Sequence, residues 1–329
     1  MYRAKITAVG YHVPDKVVTN KDLEKMLDTS DEWIRTRTGI RERHYVTQGE
    51  ATSDLAAAAA CKLLEQRGIT AEEIDCIIVA TVTPDMFFPS TACVVQEKIG
   101  ARNAWGFDLS GACAGFVYAC ATGSQFVHSG AYRKVLVVGA DVMSSIINPR
   151  DRNTYVLFGD AAGAVLIEPA DAGEEGIIDF LLRTDGSGGR YLNMPAGGSL
   201  RPATHETVEK EMHFVHQDGR AVFKYAVQRM AEISLEILKR NRVCASDVAL
   251  YAPHQANMRI IDAALERMGL DPSRCVRNIE KYANTTAATI PIGLAEAYQE
   301  NRIRKGELVL MASVGAGYTL GSLLFRWAF

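Results

Sequence analysis

Two pairs of segments in this 329-residue chain repeat at nearly one spacing. IDCIIVATVT at 74–83 aligns with SDVALYAPHQ at 246–255, 172 positions later, and RKVLVVGAD from Arg133 aligns with GELVLMASV from Gly306, 173 positions later. Each member reads as a polar start, an apolar strand and a loop. Chance likeness between apolar strands is common, but agreement of the two offsets favours a duplicated α/β half. The seam falls near residue 172, which predicts halves at 1–172 and 173–329.

Between the repeats, runs rich in Val, Ile and Ala alternate with longer helix-patterned segments, as in an α/β chain built on buried sheet. Strands are expected at 5–9, 76–81, 106–109, 134–139, 164–167, 177–184, 248–252 and 308–312, and helices at 53–67, 114–129, 219–240, 258–268 and 290–301. Residues 171–219, with DAGEEG, DGSGG and PAGGS, read as a loop-rich middle. Two stretches, 109–132 and 308–325, carry no Asp, Glu, Lys or Arg, and their length would admit a membrane span. Their Gly, Ser, Thr, Gln and His content makes them buried elements instead, so no membrane association is expected.

Charge and cysteine usage exclude further classes. Lys plus Arg number 36 against 39 Asp plus Glu, and a formal charge of −3 gives no global attraction to nucleic acid. An acidic partner would have to meet a local basic patch. The 7 cysteines form no CxxC pair and are odd in number, which argues against a disulfide framework or a zinc site. The opening MYRAKITAVGYHVP meets Pro14 and Asp15 too early for an export signal, so a cytoplasmic chain is expected.

In duplicated α/β folds, ligands sit at the carboxyl ends of strands, which directs attention to 110–115, 253–257, 282–286 and 314–317. Cys113, in GFDLSGACAGF, stands where a short strand runs into a helix pattern. Unpaired N–H groups and the positive dipole end there favour a thiolate, the activation a nucleophile needs. A small Cys filling a tight turn fits the same residues. Cys61, Cys76 and Cys120 lie within apolar segments and read as core. His254, in APHQAN, follows a strand and suits either acid–base or donor work in a cleft, or a loop histidine with solvent partners. Asn284, in KYANTTAATIPIG, either caps the next helix or offers its amide N–H groups to an oxyanion. The remaining histidines form no ligand set, and no metal is expected. GAGYTLG at 315–321 lacks the following helix and acidic residue of a dinucleotide loop, and backbone approaching a substrate is the better reading.

Taken in order, these segments resemble the β-ketoacyl-acyl carrier protein synthases III. TSDEWI at 29–34, RTGIRERH at 37–44, DLSGACAGF, FGDAAGAVLIEP at 158–169, DGRAVFKYAV at 218–227, HQANMRI at 254–260, YANTTAATIP at 282–291 and GAGYTLGS carry the resemblance along the whole chain. It implies a thiolase-like fold with an α-β-α-β-α layered core, and a triad of Cys113, His254 and Asn284. The implied reaction is a decarboxylating condensation of a primer acyl-coenzyme A with malonyl-acyl carrier protein, without metal or bound redox cofactor. The backbone N–H groups of Cys113 and Ala316 would hold the oxyanion.

The same resemblance implies that Trp33 and Arg152 sandwich the coenzyme A adenine, that Arg37 meets its phosphates, and that Lys224, Arg259 and Arg267 dock the carrier protein. It implies a homodimer in which Phe88 closes the acyl channel, a large ring that suits a short primer such as acetyl-coenzyme A. Three positions depart from the family pattern: Glu266 where a second basic residue is frequent, and Ala283 and Ala316 where glycine is common. Two rival readings keep the fold: a secondary-metabolite starter synthase with another primer or acceptor, and a catalytically silent scaffold that binds acyl carriers.

Overall fold

The apolar runs become strands because both of their faces are covered. The computed structural model, which describes residues 3–174 and 176–329, contains two main sheets. The first is built from β1 (Ala4–His12), β2 (Cys76–Ala80), β3 (Trp105–Leu109), β4 (Val135–Asp141) and β5 (Ala161–Pro169), in the order β1-β5-β4-β2-β3. The second comprises β6 (Ile177–Thr184), β7 (Val248–Pro253), β8 (Leu308–Gly315) and β9 (Thr319–Arg326), in the order β7-β8-β9-β6.

The pairing pattern recurs between the sheets. β2 runs parallel to β4, which is antiparallel to β5, which is antiparallel to β1. β7 runs parallel to β8, which is antiparallel to β9, which is antiparallel to β6. Where the first sheet adds β3 beside β2, the second has only a parallel bridge from Tyr251 to Cys275.

Seven helices matter to the site: α1 (Asp31–Thr38), α2 (Thr52–Arg67), α3 (Thr91–Ile99), α4 (Gly115–Ser129), α5 (Gly219–Arg240), α6 (Met258–Met268) and α7 (Thr289–Gln299). Period-2 alternation along each strand sorts side chains between layers. Ile77 and Val79 of β2 pack outward with α2 and α3. Ile78 and Ala80 turn inward, as do Val309 and Met311 of β8, and meet α4 and α7 in the centre. Leu308, Leu310 and Ala312 face α5 and α6. The result is five layers, α-β-α-β-α. Strands covered on both faces need not alternate polar with apolar, which is why β2 and β4 read as unbroken apolar runs.

Departures from the sequence reading have local causes. The uncharged stretch at 308–325 holds a second strand beyond the one expected at 308–312, β8 and β9 forming an antiparallel pair. α3 was not expected, although Ser90 caps it and Gly100 ends it in the left-handed region. Its N-terminus is completed by a tertiary contact, the Asp108 carboxylate accepting from Thr91 N–H at 2.6 Å and Ala92 N–H at 2.8 Å. Cys61, read as core, is exposed on α2, while Cys76 and Cys120 are buried. Among the described residues no helix is long and apolar enough to cross a membrane.

Candidate active site

β3 ends at Leu109, and the chain turns through the short helical turn Ala112–Ala114 into α4, with Cys113 at the turn. Ala112 has φ 47, a left-handed value that a non-glycine residue adopts at some cost. The turn is pinned from the other sheet. Ser313 Oγ donates to Cys113 O at 2.7 Å, and Thr319 Oγ1 donates to Gly111 O at 2.8 Å. Gly315 completes the seam, because a Cβ there would lie 2.8 Å from Cys113 N and 2.9 Å from Ala114 N. Only glycine lets the two backbones approach this closely.

The expected thiolate does not follow from this geometry. Burial pushes the Cys113 thiol up to about 12, the Asp141 carboxylate adds to the rise, and a backbone hydrogen bond opposes it. Burial disfavours the charged form of a thiol.

His254 follows β7, with its N–H donating to Ala312 O at 2.8 Å. Its imidazole is buried; Nδ1 lies 2.8 Å from Thr289 Oγ1, and Nε2 has no hydrogen-bond partner. Burial lowers the ring to about 3, so it is neutral across the physiological range.

Asn284 does not cap α7, whose N-cap is Ala288. Its backbone is tied to the segment at Phe158 by Asn284 N–H to Leu157 O at 2.9 Å and Gly159 N–H to Asn284 O at 3.1 Å. Asn284 Oδ1 accepts from Thr286 N–H at 2.9 Å, which fixes the amide so that its NH2 is the group left to face the cavity. Left-handed φ values at Ala283 (58) and Thr286 (50) flank it.

Asp141, at the end of β4, was not singled out in the sequence. Its Oδ1 accepts from Val82 N–H at 2.8 Å and from the Thr81 and Thr83 hydroxyls at 3.0 Å each. Its Oδ2 accepts from Thr286 Oγ1 and from Ala287 N–H. Burial pushes this carboxyl up, and those hydrogen bonds oppose the rise. Thr289 was likewise not foreseen. In sequence both are one polar residue in an apolar run, and contacts 145 and 35 positions away give them their place.

Cys113, His254 and Asn284 line one cavity of about 690 Å³ with Phe158, Val314 and Gly315. Its exposed end is lined by Trp33, Arg37, Arg220, Asn257 and Arg259. Among the described residues Arg37, Arg220 and Arg259 make no ion pair, so the opening carries three free cations in a chain of net negative charge. A neutral imidazole, a fixed amide and a thiol at one buried end can bind a developing oxyanion beside a nucleophile.

Other expected site residues lie elsewhere or differently. Arg152 sits directly over Trp33, 5.4 Å from the ring centroid, and bonds Asp28 O at 2.7 Å. A base between them would need about 7 Å, two contacts of about 3.5 Å, so Arg152 must swing aside to form a sandwich. Ala316 does not line the cavity; Gly315 does. Phe88 is 85% exposed and outside the cavity of its own chain. Lys224 and Arg267 are exposed beyond the lining, Arg267 bonding Gln228 O at 3.2 Å. Among the described residues no cluster of His, Cys, Asp and Glu is arranged for a metal.

Residues 107–186 match the family described as 3-oxoacyl-[acyl-carrier-protein (ACP)] synthase III, and residues 238–327 match its C-terminal part. A β-ketoacyl-[acyl-carrier-protein] synthase III of Solibacter usitatus is 57% identical over 331 residues, covering 100% of both chains. The crystal structure of 3-oxoacyl-[acyl-carrier-protein] synthase III from Aquifex aeolicus superposes with a TM-score of 0.91 at 40% identity, covering 98% of this chain and 100% of that one. The priming β-ketosynthase from the R1128 polyketide pathway superposes with a TM-score of 0.92 at 32% identity, covering 99% and 97%.

Proposed function

The chain belongs to the 3-oxoacyl-[acyl-carrier-protein] synthase III family, and from that premise we propose that Cys113, His254 and Asn284 together perform the condensation that initiates fatty acid synthesis. The observation that carries the assignment is their convergence on the buried end of one cavity. The identity reaches 57% to a curated β-ketoacyl-[acyl-carrier-protein] synthase III against 32% to the polyketide priming enzyme, which favours the primary reaction over a starter synthase. An intact triad argues against a silent scaffold.

In the first half-reaction the Cys113 sulfur bonds to the thioester carbonyl carbon of a primer acyl-coenzyme A, and the carbon–sulfur bond to coenzyme A breaks. The thiol proton leaves with coenzyme A. Backbone N–H groups of Cys113 and of the Gly315–Ala316 turn hold the oxyanion. In the second, malonyl-acyl carrier protein loses CO2, and His254 and Asn284 donate to the enolate oxygen. The enolate carbon bonds to the acyl carbonyl carbon, the bond to Cys113 sulfur breaks, and the thiolate takes up one proton from solvent, leaving β-ketoacyl-acyl carrier protein and the free thiol. No redox change occurs and the oxyanions are met by N–H donors, so the scheme uses no resident cofactor. The nucleophile belongs to the half 1–172 and the donors to the half 173–329, a division supported by the recurring strand order.

Trp33, Arg37 and Arg152 are assigned to coenzyme A, and Lys224, Arg259 and Arg267 to the acidic carrier protein. A cytoplasmic location follows, since a nucleophilic thiol must stay reduced. Phe87 and Phe88, 82% and 85% exposed, and the sheet-edge strand β3 with its exposed Trp105 are surfaces a second copy would cover. The reading is therefore a homodimer, with the partner's loop supplying the ring that limits primer length. Light scattering at micromolar concentration should give twice the mass of one chain; a monomer contradicts it.

Intact-protein mass spectrometry against a panel of acyl-coenzyme A esters tests the whole reading. Acetyl should transfer to Cys113 and to no other cysteine, and Cys113→Ala should accept none. An acyl group mapped to Cys93 or Cys120 overturns the assignment.

A further inference from the structure

Two donors at the enolate oxygen require a particular tautomer of His254. The amide of Asn284 is already fixed, since its oxygen accepts from Thr286 N–H. The imidazole is not fixed by its own covalent structure: with Nδ1 protonated, Nε2 is a bare acceptor, and only with Nε2 protonated does the ring donate into the cavity. Among the described residues the one hydrogen-bond partner of the ring is the hydroxyl of Thr289, at the first position of α7.

That hydroxyl has one proton and two candidate acceptors. Thr286 O lies 3.2 Å from Oγ1, and His254 Nδ1 lies 2.8 Å from it. Thr286 O already accepts from the backbone N–H of Thr289. It has no unmet need of the hydroxyl, whereas Nδ1 has no other partner. The shorter contact is also the better-formed one, because hydrogen bonds to oxygen and nitrogen weaken beyond about 3.2 Å. We propose that Thr289 is a positioning residue that donates to His254 Nδ1 and so holds the ring as the Nε2–H tautomer, a hydrogen-bond donor at the reacting end of the cavity. This deepens the assignment of His254 above and rests on it. Burial suits the role, because a desolvated neutral imidazole is a poor base while its N–H remains a strong donor. Thr289 itself is buried and touches no substrate path.

The test combines a spectroscopic and a kinetic measurement on the full-length enzyme. In protein labelled with 15N-histidine, long-range proton–nitrogen correlation should show the His254 ring protonated at Nε2, the signal being identified by its loss in His254→Gln. Thr289→Val keeps the shape and removes the hydroxyl. It should shift the ring toward a mixture of tautomers and lower kcat for condensation by about 10²-fold, the usual effect of losing one oxyanion donor. KM for malonyl-carrier protein should stay within about twofold, and acylation of Cys113 by acetyl-coenzyme A should persist. Thr289→Ser should restore both tautomer and turnover. A wild-type ring protonated at Nδ1 overturns the proposal, as does a Thr289→Val enzyme with unchanged tautomer and kcat. Equal loss in the Val and Ser variants, with acylation gone, assigns Thr289 to folding alone and overturns it too. Failure of wild-type Cys113 to accept acetyl would sink the functional reading, and the tautomer spectrum would still decide this one.

Discussion

Burial pushes the Cys113 thiol up to about 12, so the free thiol is almost wholly protonated at pH 7. Reactivity of free Cys113 should therefore climb about tenfold per pH unit, since each unit multiplies the thiolate fraction by ten until the thiol titrates. Iodoacetamide labelling followed by peptide mass spectrometry between pH 7 and 9 measures it; a plateau near pH 7 would mean that the dipole dominates burial. A second consequence concerns Ala283, whose φ 58 and ψ −155 lie where glycine alone is comfortable. Such a residue stores about 1–3 kcal/mol, against about 0.4–1 kcal/mol for glycine's extra chain entropy and about 0.8 kcal/mol for the lost buried methyl. Ala283→Gly should leave the melting temperature unchanged or slightly raised. Ala283→Val, β-branched at positive φ, should cost about 3 kcal/mol, measured by chemical denaturation.

At the scale of elements, Asp141 is the clamp between the loop after β2 and the loop that carries Asn284. Asn in its place offers one acceptor oxygen, so either the Thr81, Val82 and Thr83 donors or the Thr286 and Ala287 donors lose theirs, at about 2–4 kcal/mol. The same change removes the charge that helps raise Cys113. Asp141→Asn should thus melt earlier yet alkylate faster at pH 8, two signals of opposite sense. Unchanged alkylation would mean that Asp141 carries a proton in the folded enzyme. How far such features can be read from sequence depends on their range. Strands β2, β4, β7 and β8 are legible because apolar runs of that length report burial on both faces. α3 is not, because β-branched Val94 and Val95 lower its helical signal and its N-terminus is completed by Asp108 from another element. Cys113 and His254 stand out by following strands and Asn284 by following a turn before an apolar helix, but position alone leaves each with an ordinary structural explanation. The ordered set of motifs selects among those, and Asp141 and Thr289 stay invisible because only the folded chain brings their partners within reach.

For the molecule as a whole, the distribution of charge matters more than its sum. Net charge is −3, yet Arg37, Arg220 and Arg259 line the cavity and Lys224 is exposed on the same helix as Arg220, all without ion-pair partners among the described residues. Both substrates would be drawn to this rim, since coenzyme A carries phosphates and the carrier protein is acidic. The two attractions separate by position. Arg259 lines the cavity and packs over Phe223, its guanidinium carbon 4.9 Å from the ring centroid, so an entering coenzyme A would pass close to it. Lys224 is exposed and lies outside the lining, where only a partner resting on the rim would meet it. Exposed rim charges act mainly on encounter, each contributing about 0.5–1 kcal/mol, and reversal roughly doubles the loss. Lys224→Glu should therefore raise KM for malonyl-carrier protein about five- to thirtyfold while leaving the rate of Cys113 acylation by acetyl-coenzyme A within about twofold. Arg259→Glu should impair both steps, with the condensation step the more affected. Raising salt from about 50 to 300 mM, which shortens the screening length, should reduce the wild-type condensation kcat/KM and erase most of the difference between Lys224→Glu and wild type. If Lys224→Glu slows acylation as much as condensation, the carrier protein does not rest on α5. The basic rim then serves coenzyme A alone.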